Sequence, residues 1–448
     1  MKPRPELPEG PWLVVGLARS GVAAALALRT RGEQVIGVDA GAPKESQTLV
    51  GAGVEHHENE DGVALLERVK VVVKSPGVPA GAPVIAAARA QGIEVLGELE
   101  LGWRMLLSEF VAVTGTNGKT TTVELIGHIH REAGLPVAVA GNVGAAVSGL
   151  VGEVDEDTTI VCEASSFQLQ DTVAFAPEVA VLLNLTPDHL DRHDTFERYR
   201  TAKLEIFARQ GNEDIAVAPL GLGSRIGIPP ISPPIPGCAR RVCFGEGAGA
   251  ALSLSAGELW WEERALLRVD ELRLPGRHNV ENAMAAAAVC LARGIDADAV
   301  RAGLRSFAGV KHRLEVLALR GGVMWVNDSK ATNVASTLVA LDAFRAGTVH
   351  LILGGQGKGQ DFSALRAPVQ RCCRAVYLIG EDAPAIATAL SEEGVPVYEC
   401  GDLERAVGKA REVVGEGDVV LLSPACASFD QFADFEARGE LFRDLVEG

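Results

Sequence analysis

Short apolar runs alternate with helix-compatible stretches along the whole chain, and this alternation predicts an α/β protein. At 448 residues the chain is long for a single hydrophobic core. We therefore predict three domains in series, over residues 1–108, 109–308 and 309–448. The first and the last are predicted to be Rossmann-like.

The N-terminal domain is predicted from a strand–helix–strand pattern. Trp12–Gly16 is a short apolar run, Gly21 opens an alanine-rich stretch, and Val35–Asp39 is a second run that ends in an acid. This is a βαβ unit of the dinucleotide-binding type. Its glycine fingerprint is imperfect, because Ala18 stands where a second glycine would let the backbone approach a pyrophosphate. The pattern thus argues against a nicotinamide oxidoreductase.

The central domain begins with the most informative stretch, VAVTGTNGKTTT. An apolar run leads into a glycine-rich turn at residues 115–120, and a helix-compatible stretch follows. Such a turn directs backbone N–H groups and a helix N-terminus at an anion, and Lys119 adds a full charge. The usual pattern would require glycine at position 113, where this chain has Val113. We predict a variant P-loop ATPase-like domain that binds a nucleoside triphosphate.

The third domain is predicted from the return of alternating strands and helices after Lys311. Its strands are expected at four apolar runs, Val323–Val326, Val349–Leu353, Ala375–Ile379 and Val419–Leu422. The proline-rich stretch 227–237 is predicted to be a surface loop or linker.

Composition limits the classes of function. The net charge is -17 without a basic cluster, which argues against nucleic acid as a partner. No apolar run is as long as a membrane span, and the N-terminus lacks the apolar region of a secretory signal. The 8 cysteines include no CxxC pair, so free thiols are expected. We expect a cytoplasmic protein, and a monomer.

Polar clusters follow two predicted strands of the central domain. Glu163 ends the run from Thr159, and residues 184–193 follow the run from Val179. Glu163 is a candidate ligand of a divalent ion, or a cap of the next helix. His189 in the second cluster is a candidate metal or phosphate ligand, or an ordinary loop residue. Because carboxyl ends of parallel strands meet at one edge, a shared site is favoured.

Lysine is rare in this chain: ten of the 42 basic residues are lysines and 32 are arginines. Retained lysines are therefore candidates for chemistry that arginine cannot perform, such as forming a neutral amine. Lys203 lies on a predicted helix, where it is either a solvated surface residue or a functional amine. Asn279 and Asn282 begin another predicted helix, as caps or as partners of an adenine edge.

Six motifs occur in an order that resembles the Mur ligase family of peptidoglycan synthesis: GTNGKTTT, EASSFQL, NLTPDHLDRH, YRTAK, GRHNVENA and VKHRLE. The similarity covers nearly the whole chain. Three C-terminal segments, NDSKATN, GGQGK and SPACASFDQF, resemble the branch that adds D-glutamate to UDP-N-acetylmuramoyl-L-alanine. The resemblance implies that ATP converts the acceptor carboxylate into an acyl phosphate, which the amine of D-glutamate then attacks.

The resemblance also implies cofactors and their residues. Two Mg²⁺ ions are expected near Thr120, Glu163, His189 and Lys203, with Lys203 carbamylated by CO₂. Lys119 and His189 are expected to act on the reacting groups, together with Glu163 and the carbamate. The residues implied to bind ATP are Gly115, Thr116, Asn117, Gly118, Lys119, Thr120, Thr121, Asn279, Asn282, Arg313 and Asp328.

Substrate-binding residues are implied in the same way. Those expected to hold the UDP portion are Arg19, Ser20, Gly21, Asp39, Ser75, Pro76 and Gly77. Asn142 would contact the acyl end, and His189 is also implied to bind substrate. The residues expected to bind D-glutamate are Lys330, Thr332, Lys358, Ser428, Phe429 and Phe435. The chain departs from the family at Ala40-Gly41, where a threonine–arginine pair is usual, and at Gln356, where an aspartate would be expected.

Two alternatives stay open at this point. Another ligase of the same superfamily, similar to folylpolyglutamate synthase, would need a pterin pocket in place of the N-terminal βαβ domain. A non-catalytic protein could use ATP as a conformational switch. A requirement of ATP consumption for both an acidic acceptor and an amino acid would distinguish a ligase from such a switch.

Overall fold

The computed structural model describes residues 2–221, 235–247, 249–274, 276–357, 359–391 and 394–448. The chain forms two compact units, Met1–Phe307 and Ala308–Gly448. Most of the proline-rich stretch 227–237 lies outside the described residues. Among the described residues, no helix has the length and apolar character needed to cross a membrane.

The first unit begins with a five-stranded, fully parallel sheet in the order β3-β2-β1-β4-β5. Its strands are β1 Trp12–Val15, β2 Val35–Asp39, β3 Glu55–Glu58, β4 Val71–Lys74 and β5 Glu94–Gly97. The helices are α1 Arg19–Thr30, α2 Thr48–Gly51, α3 Pro83–Ala90 and α4 Glu98–Met105, with 3₁₀ turns at Lys44–Gln47 and Val63–Arg68. Apolar side chains are buried on both faces of the sheet, as parallel sheets require.

The same unit contains a nine-stranded sheet in the order β14-β13-β12-β11-β10-β9-β6-β8-β7. Its strands are β6 Phe110–Thr114, β7 Val137–Gly141, β8 Thr159–Glu163, β9 Val179–Leu182, β10 Ile215–Pro219, β11 Arg240–Gly245, β12 Leu252–Ser255, β13 Glu258–Trp261 and β14 Arg264–Arg268. The helices are α5 Lys119–Glu132, α6 Ser166–Gln170, α7 Leu190–His193, α8 Phe196–Leu204, α9 Arg277–Ala292 and α10 Ala297–Ser306, with 3₁₀ turns at Val147–Leu150 and Val269–Glu271. Strands β6 to β12 pair in parallel, and β12 to β14 form antiparallel hairpins.

A buried carboxylate explains why the first two sheets belong to one unit. Glu100 of α4 is fully buried and accepts backbone N–H groups of Val173, Ala174 and Phe175, which follow α6. Trp103 of the same helix belongs to the core of the central sheet. Helix α4 therefore fixes the N-terminal sheet to the central one through both hydrogen bonds and packing.

The second unit contains a six-stranded sheet in the order β15-β16-β20-β17-β18-β19. Its strands are β15 Glu315–Arg320, β16 Val323–Asn327, β17 Val349–Gly354, β18 Cys373–Ile379, β19 Val397–Gly401 and β20 Val419–Leu422. The helices are α11 Val334–Leu341, α12 Arg366–Cys372, α13 Ala383–Leu390, α14 Leu403–Val413 and α15 Phe435–Glu447, with a 3₁₀ turn at Ser363–Leu365. Helices cover both faces, and β15 is an antiparallel edge strand.

The predicted fold class of three α/β domains in series is confirmed. The boundaries at 108 and 308 stay predictions. The predicted strand cores in all three sheets are found with ends that differ by a few residues. Strands β10 to β14, between residues 215 and 268, were not predicted from the sequence.

Candidate active site

The phosphate loop, residues 115–118, connects the buried strand β6 to helix α5. Gly118 caps this helix with φ +84, a left-handed conformation that glycine adopts without strain. A Cβ on Gly118 would lie 2.2 Å from Oδ1 of Asn282, so α9 packs directly on the loop. The predicted helix-start residue Asn282 therefore lies at the phosphate loop, and its Nδ2 lies 3.4 Å from Oδ1 of Asn279.

A second segment fixes the outer side of this loop. The backbone N–H of Asn117 donates to Oδ1 of Asn184 at 2.9 Å, and Nδ2 of Asn184 donates to the carbonyl of Asn117 at 3.1 Å. The hydroxyl of Thr116 lies 3.0 Å from the hydroxyl of Tyr199 and donates to the carbonyl of Thr186. The strand end after β9 and helix α8 thus hold the loop in one conformation.

A carboxylate and a hydroxyl meet beside the loop. The hydroxyl of Thr120 donates to Oε2 of Glu163 at 2.7 Å, and Nδ2 of Asn142 donates to Oε1 at 2.9 Å. Glu163 is 3% exposed and ends β8, next to β6. The structure therefore brings together Thr120, Glu163 and Asn142, although they lie far apart in the sequence. Thr121, also on α5, is buried.

Two lysines donate to the same carbonyl of the loop. Lys119 Nζ donates to the carbonyls of Gly115 at 3.0 Å and Thr116 at 2.9 Å. Lys203 Nζ donates to the carbonyl of Gly115 at 2.8 Å and to the hydroxyl of Thr114 at 3.4 Å. Lys203 is 2% exposed, so the alternative of a solvated surface lysine is wrong. Burial, and then the charge of Lys119, lower the pKa of Lys203 to about 7.

His189 lies on an aromatic cluster beside the loop. Its ring packs edge-on against Phe167, with the ring centroids 5.1 Å apart, and His193 stacks on the same phenyl ring. Half of the His189 side chain is exposed, and its φ of +51 is unusual for a residue other than glycine. The aromatic contacts keep this strained residue in place with an imidazole that solutes can reach.

A cavity of about 500 Å³ opens at the carboxyl ends of the N-terminal strands. Six residues that the sequence analysis assigned to the UDP portion line it: Arg19, Ser20, Asp39, Ser75, Pro76 and Gly77. Asn142 and Gln168 of the central domain also line it, so the cavity extends toward Glu163. Gln168 was not among the predicted site residues; its position at the start of α6, after EASS, was the available signal.

Two of the predicted residues are engaged by the backbone. The carboxylate of Asp39 accepts the N–H groups of Leu17 at 2.6 Å and Gly41 at 2.8 Å. Gly21 is not among the residues that line the cavity, and a Cβ there would lie 1.7 Å from the carbonyl oxygen of Gly16. The geometry of Gly21 is therefore explained by the packing of α1 on β1.

In the second unit, Asp328 follows β16 and is 5% exposed. It accepts the hydroxyl of Ser423 at 2.7 Å and the backbone N–H of Leu314 at 3.2 Å. Burial raises the pKa of Asp328 to about 7, against the opposing effect of these hydrogen bonds. Leu314 belongs to the VKHRLE motif, so Asp328 and this motif lie together. The preceding residue of the motif, Arg313, forms a backbone bridge with Val310.

Three predicted amino-acid-binding segments meet in this unit. Ser329 donates its hydroxyl to the carbonyl of Phe435, which starts α15, and Nζ of Lys330 lies 5.8 Å from the Phe435 ring. Thr332 follows in the same turn, where its N–H donates to the carbonyl of Lys330. Ser428 is 2% exposed, whereas Phe429 is 61% exposed.

Two further residues belong to the glycine-rich loop after β17. Gln356 pairs through its backbone with Ala427, the residue before Ser428. Lys358 lies outside the described residues. The loop and the SPACAS segment are therefore held side by side as far as Gln356.

The residues beside the phosphate loop suit a magnesium ion that is bound mostly by phosphate. Among the described residues, no group of three or more His, Cys, Asp or Glu side chains could hold a metal ion on its own. Mg²⁺ keeps oxygen ligands from water and phosphate and needs few from protein. The Thr120 hydroxyl and the Glu163 carboxylate, 2.7 Å apart, are oxygen donors of that kind.

Parallel sheets and a strand–turn–helix phosphate loop define an α/β protein of the phosphate-loop class. Its family follows from three sequence profiles: "Mur ligase MurD-like, N-terminal domain" over residues 11–97, "Mur ligase middle domain" over 113–222, and "Mur ligase, glutamate ligase domain" over 312–426. The chain belongs to the Mur ligase family.

Relatives support this assignment over nearly the whole length. The chain is 43% identical to a UDP-N-acetylmuramoylalanine--D-glutamate ligase of Acidobacterium capsulatum, over 97% of this chain and 95% of that protein. It is 42% identical to the protein of the same name from Pelotomaculum thermopropionicum, over 97% and 96%.

Solved structures share the fold at lower identity. MurF from Acinetobacter baumannii matches with a TM-score of 0.60 and 17% identity, over 97% of this chain and 93% of that chain. UDP-N-acetylmuramate-alanine ligase from Thermotoga maritima matches with a TM-score of 0.59 and 20% identity, over 98% and 99%. These likenesses concern the fold.

Proposed function

We propose that this protein is a cytoplasmic, ATP- and Mg²⁺-dependent ligase that joins D-glutamate to UDP-N-acetylmuramoyl-L-alanine. The main structural support is that Thr120, Glu163 and Lys203 lie together at the phosphate loop. The names of the relatives, at about 40% identity over almost the full chain, supply the substrate class.

The proposed reaction brings together two anions, the triphosphate of ATP and the acceptor carboxylate, and an amine then attacks the activated carboxyl group. When bound, ATP supplies the phosphoryl group that turns the acceptor carboxylate into an acyl phosphate; the amine of D-glutamate displaces phosphate from it. Lys119 and the loop N–H groups would neutralise the triphosphate, and Thr120 and Glu163 would hold Mg²⁺. Asn279, Asn282, Arg313 and Asp328 are assigned to the rest of the nucleotide.

Lys203 is proposed to carry a carbamate. Its low pKa leaves a large neutral fraction at neutral pH, and a neutral amine is the form that attacks CO₂. A bond forms between Nζ and the carbon of CO₂, and the amine loses a proton to solvent. The product is an anion beside Glu163 and Lys119, where it would favour a second Mg²⁺ together with His189.

The substrates are assigned to separate regions. The cavity lined by Arg19, Ser20 and Ser75 is proposed to hold the UDP portion, with Asn142 at the acyl end. Asp39 would contribute there, although the backbone already engages both of its oxygens. Residues assigned to D-glutamate are Lys330, Thr332, Lys358, Ser428, Phe429 and Phe435.

A phosphate-release assay tests the proposal. The full-length protein is supplied with ATP, Mg²⁺, UDP-N-acetylmuramoyl-L-alanine and a panel of D- and L-amino acids. We expect release that needs all components and is fastest with D-glutamate. Release with a folate acceptor, or ATP hydrolysis that ignores both acceptor and amino acid, would support the other two classes of protein instead.

A further inference from the structure

Arg438 is a buried cation that the sequence analysis did not single out. It lies in the first turn of α15 and is 1% exposed. Within the part of the chain that the structure describes, no carboxylate lies within ion-pair distance of its guanidinium. Asp430, a neighbouring acid, instead accepts the backbone N–H of Glu381 at 2.9 Å. A buried charge without a paired opposite charge destabilises the folded state, so its presence calls for an explanation.

The hydrogen bonds of Arg438 go to two segments. Nε donates to the hydroxyl of Ser329 at 3.0 Å, and Nη2 donates to the carbonyl of Ser329 at 2.9 Å. Nη2 also donates to the carbonyl of Cys426 at 3.1 Å, and Nη1 donates to that of Ala427 at 3.4 Å. The fork geometry of a guanidinium allows one side chain to hold both segments at once.

These segments carry the residues assigned to D-glutamate. Ser329 precedes Lys330, and Ala427 precedes Ser428, while Phe435 is on the same helix as Arg438. The glycine-rich loop is attached as well, because Gln356 pairs with Ala427 and a Cβ on Gly355 would lie 3.2 Å from Nη1 of Arg438. Among the described residues, a single side chain thus lies at the junction of the NDSK segment, the SPACAS segment and the glycine-rich loop as far as Gln356.

We propose that Arg438 is the positioning residue of the D-glutamate subsite, an inference that rests on the proposed function. Its hydrogen bonds fix the backbones of the NDSK and SPACAS segments, so Lys330 and Ser428 are held in register. Its acceptors are a hydroxyl and carbonyls, which solvate the guanidinium without neutralising it, so a positive potential remains behind segments that would receive a dicarboxylate. Burial lowers the pKa of Arg438 to about 10, so the guanidinium stays charged at neutral pH.

Steady-state kinetics on the full-length protein test this role. Arg438→Met removes both the charge and the donors, whereas Arg438→Lys keeps the charge and loses the fork. We expect the KM for D-glutamate to rise about 30-fold in the methionine variant and about 5-fold in the lysine variant. The KM for ATP should change less than about 3-fold. Asp328 is the residue of these segments that is assigned to the nucleotide, and it bonds Ser423 and Leu314 instead of Arg438.

Arg443→Met is the matched control on the same helix. Arg443 pairs with Glu315 at 2.7 Å and donates to neither segment, so its loss should leave the KM for D-glutamate within about 2-fold of wild type. Adding guanidinium chloride at low millimolar concentration to Arg438→Ala should partly lower the raised KM, which a merely unfolded variant could not show.

Defined results overturn the proposal. An unchanged KM for D-glutamate in a folded Arg438→Met, or equal rises for D-glutamate and ATP, would remove the positioning role. Loss of folding in all three Arg438 variants would make the residue structural. If the wild-type protein instead prefers another amino acid, the proposed function fails first, and the same measurements with that amino acid then decide on Arg438 separately.

Discussion

Two buried groups of opposite chemistry, Lys203 in the first unit and Asp328 in the second, have the same pKa of about 7. Burial is the largest cause in both, and it lowers the pKa of the amine and raises that of the acid. Lys203 donates to a carbonyl and a hydroxyl, whereas Asp328 accepts a hydroxyl and an N–H. Neither forms an ion pair within the described residues.

The difference lies in what the neutral form can do. A neutral Lys203 is a nucleophile, and the neighbouring charge of Lys119 helps to keep it neutral. A neutral Asp328 is a hydrogen-bond donor, and Arg313 opposes that form. Burial therefore favours covalent modification of Lys203. At Asp328, burial makes the free energy of unfolding depend on pH.

Removing Lys119 from the phosphate loop should have the largest effect. Lys119→Ala takes away the compact charge that would face the transferring phosphoryl group, and we expect kcat to fall at least 100-fold, roughly 3 kcal/mol. Lys409→Ala, which removes an exposed lysine paired with Glu412, is the control. Phosphate release near the wild-type rate in a folded Lys119→Ala protein would contradict the role given to the loop.

Lys203→Ala tests the amine itself. We expect about 50-fold lower activity, roughly 2.3 kcal/mol, because the metal-supporting anion is lost. Acetate should partly restore turnover by filling the vacated space with a carboxylate, but it should have no effect on Lys119→Ala. A carbonyl carbon signal from ¹³C-labelled bicarbonate that disappears in Lys203→Ala would identify the adduct directly. Full activity of the variant would refute the carbamate.

The fold could be predicted where patterns are local. The apolar runs of β1, β6, β8 and β20 are short and bounded by polar residues, proline or glycine, and the sequence alone is sufficient to place them. The hairpins β12 to β14 were missed because their turns lack the usual asparagine–glycine signals. Ala256 and Glu262 adopt a positive φ in these turns, and neither residue type predicts this conformation from the sequence.

The site could be predicted only as far as its motifs. Lys119 and Thr120 follow from the loop pattern, yet the burial of Lys203 depends on a contact with Gly115, 88 positions away. Arg438 had no local signal, because its partners lie in segments brought together by the sheet. Long-range contacts of this kind decide which motif residues become buried, and therefore which of them change their pKa.

Ser428→Ala should have a smaller effect, confined to one substrate. We expect the KM for D-glutamate to rise about 20-fold, roughly 1.8 kcal/mol, with the KM for ATP nearly unchanged, since only a hydroxyl assigned to the amino acid is removed. Ser363→Ala, a change in an exposed turn of the same unit, serves as the control. A shift confined to the ATP KM would show that the amino-acid site has been misplaced.

The smallest effect concerns the contribution of Asp328 to stability. Because burial raises the pKa of this acid, whereas it lowers that of Lys203, the free energy of unfolding should fall as pH rises. The folded pKa of about 7 lies above the ordinary value of 3.8, so the folded protein binds more protons than the unfolded chain between these values. Asp328 then contributes stability that is fully present below pH 4 and is lost as pH rises through 7. Between pH 6 and 8 the loss is about 1.4 kcal/mol.

Asp328→Asn carries no titrating group, and it should flatten this part of the dependence of the free energy of unfolding on pH, measured by urea denaturation without nucleotide. Asp342→Asn, whose exposed carboxylate pairs with Arg371, is the control and should leave the slope unchanged. An equal slope in wild type and Asp328→Asn would mean that Asp328 stays ionised, and the contrast with Lys203 would then disappear.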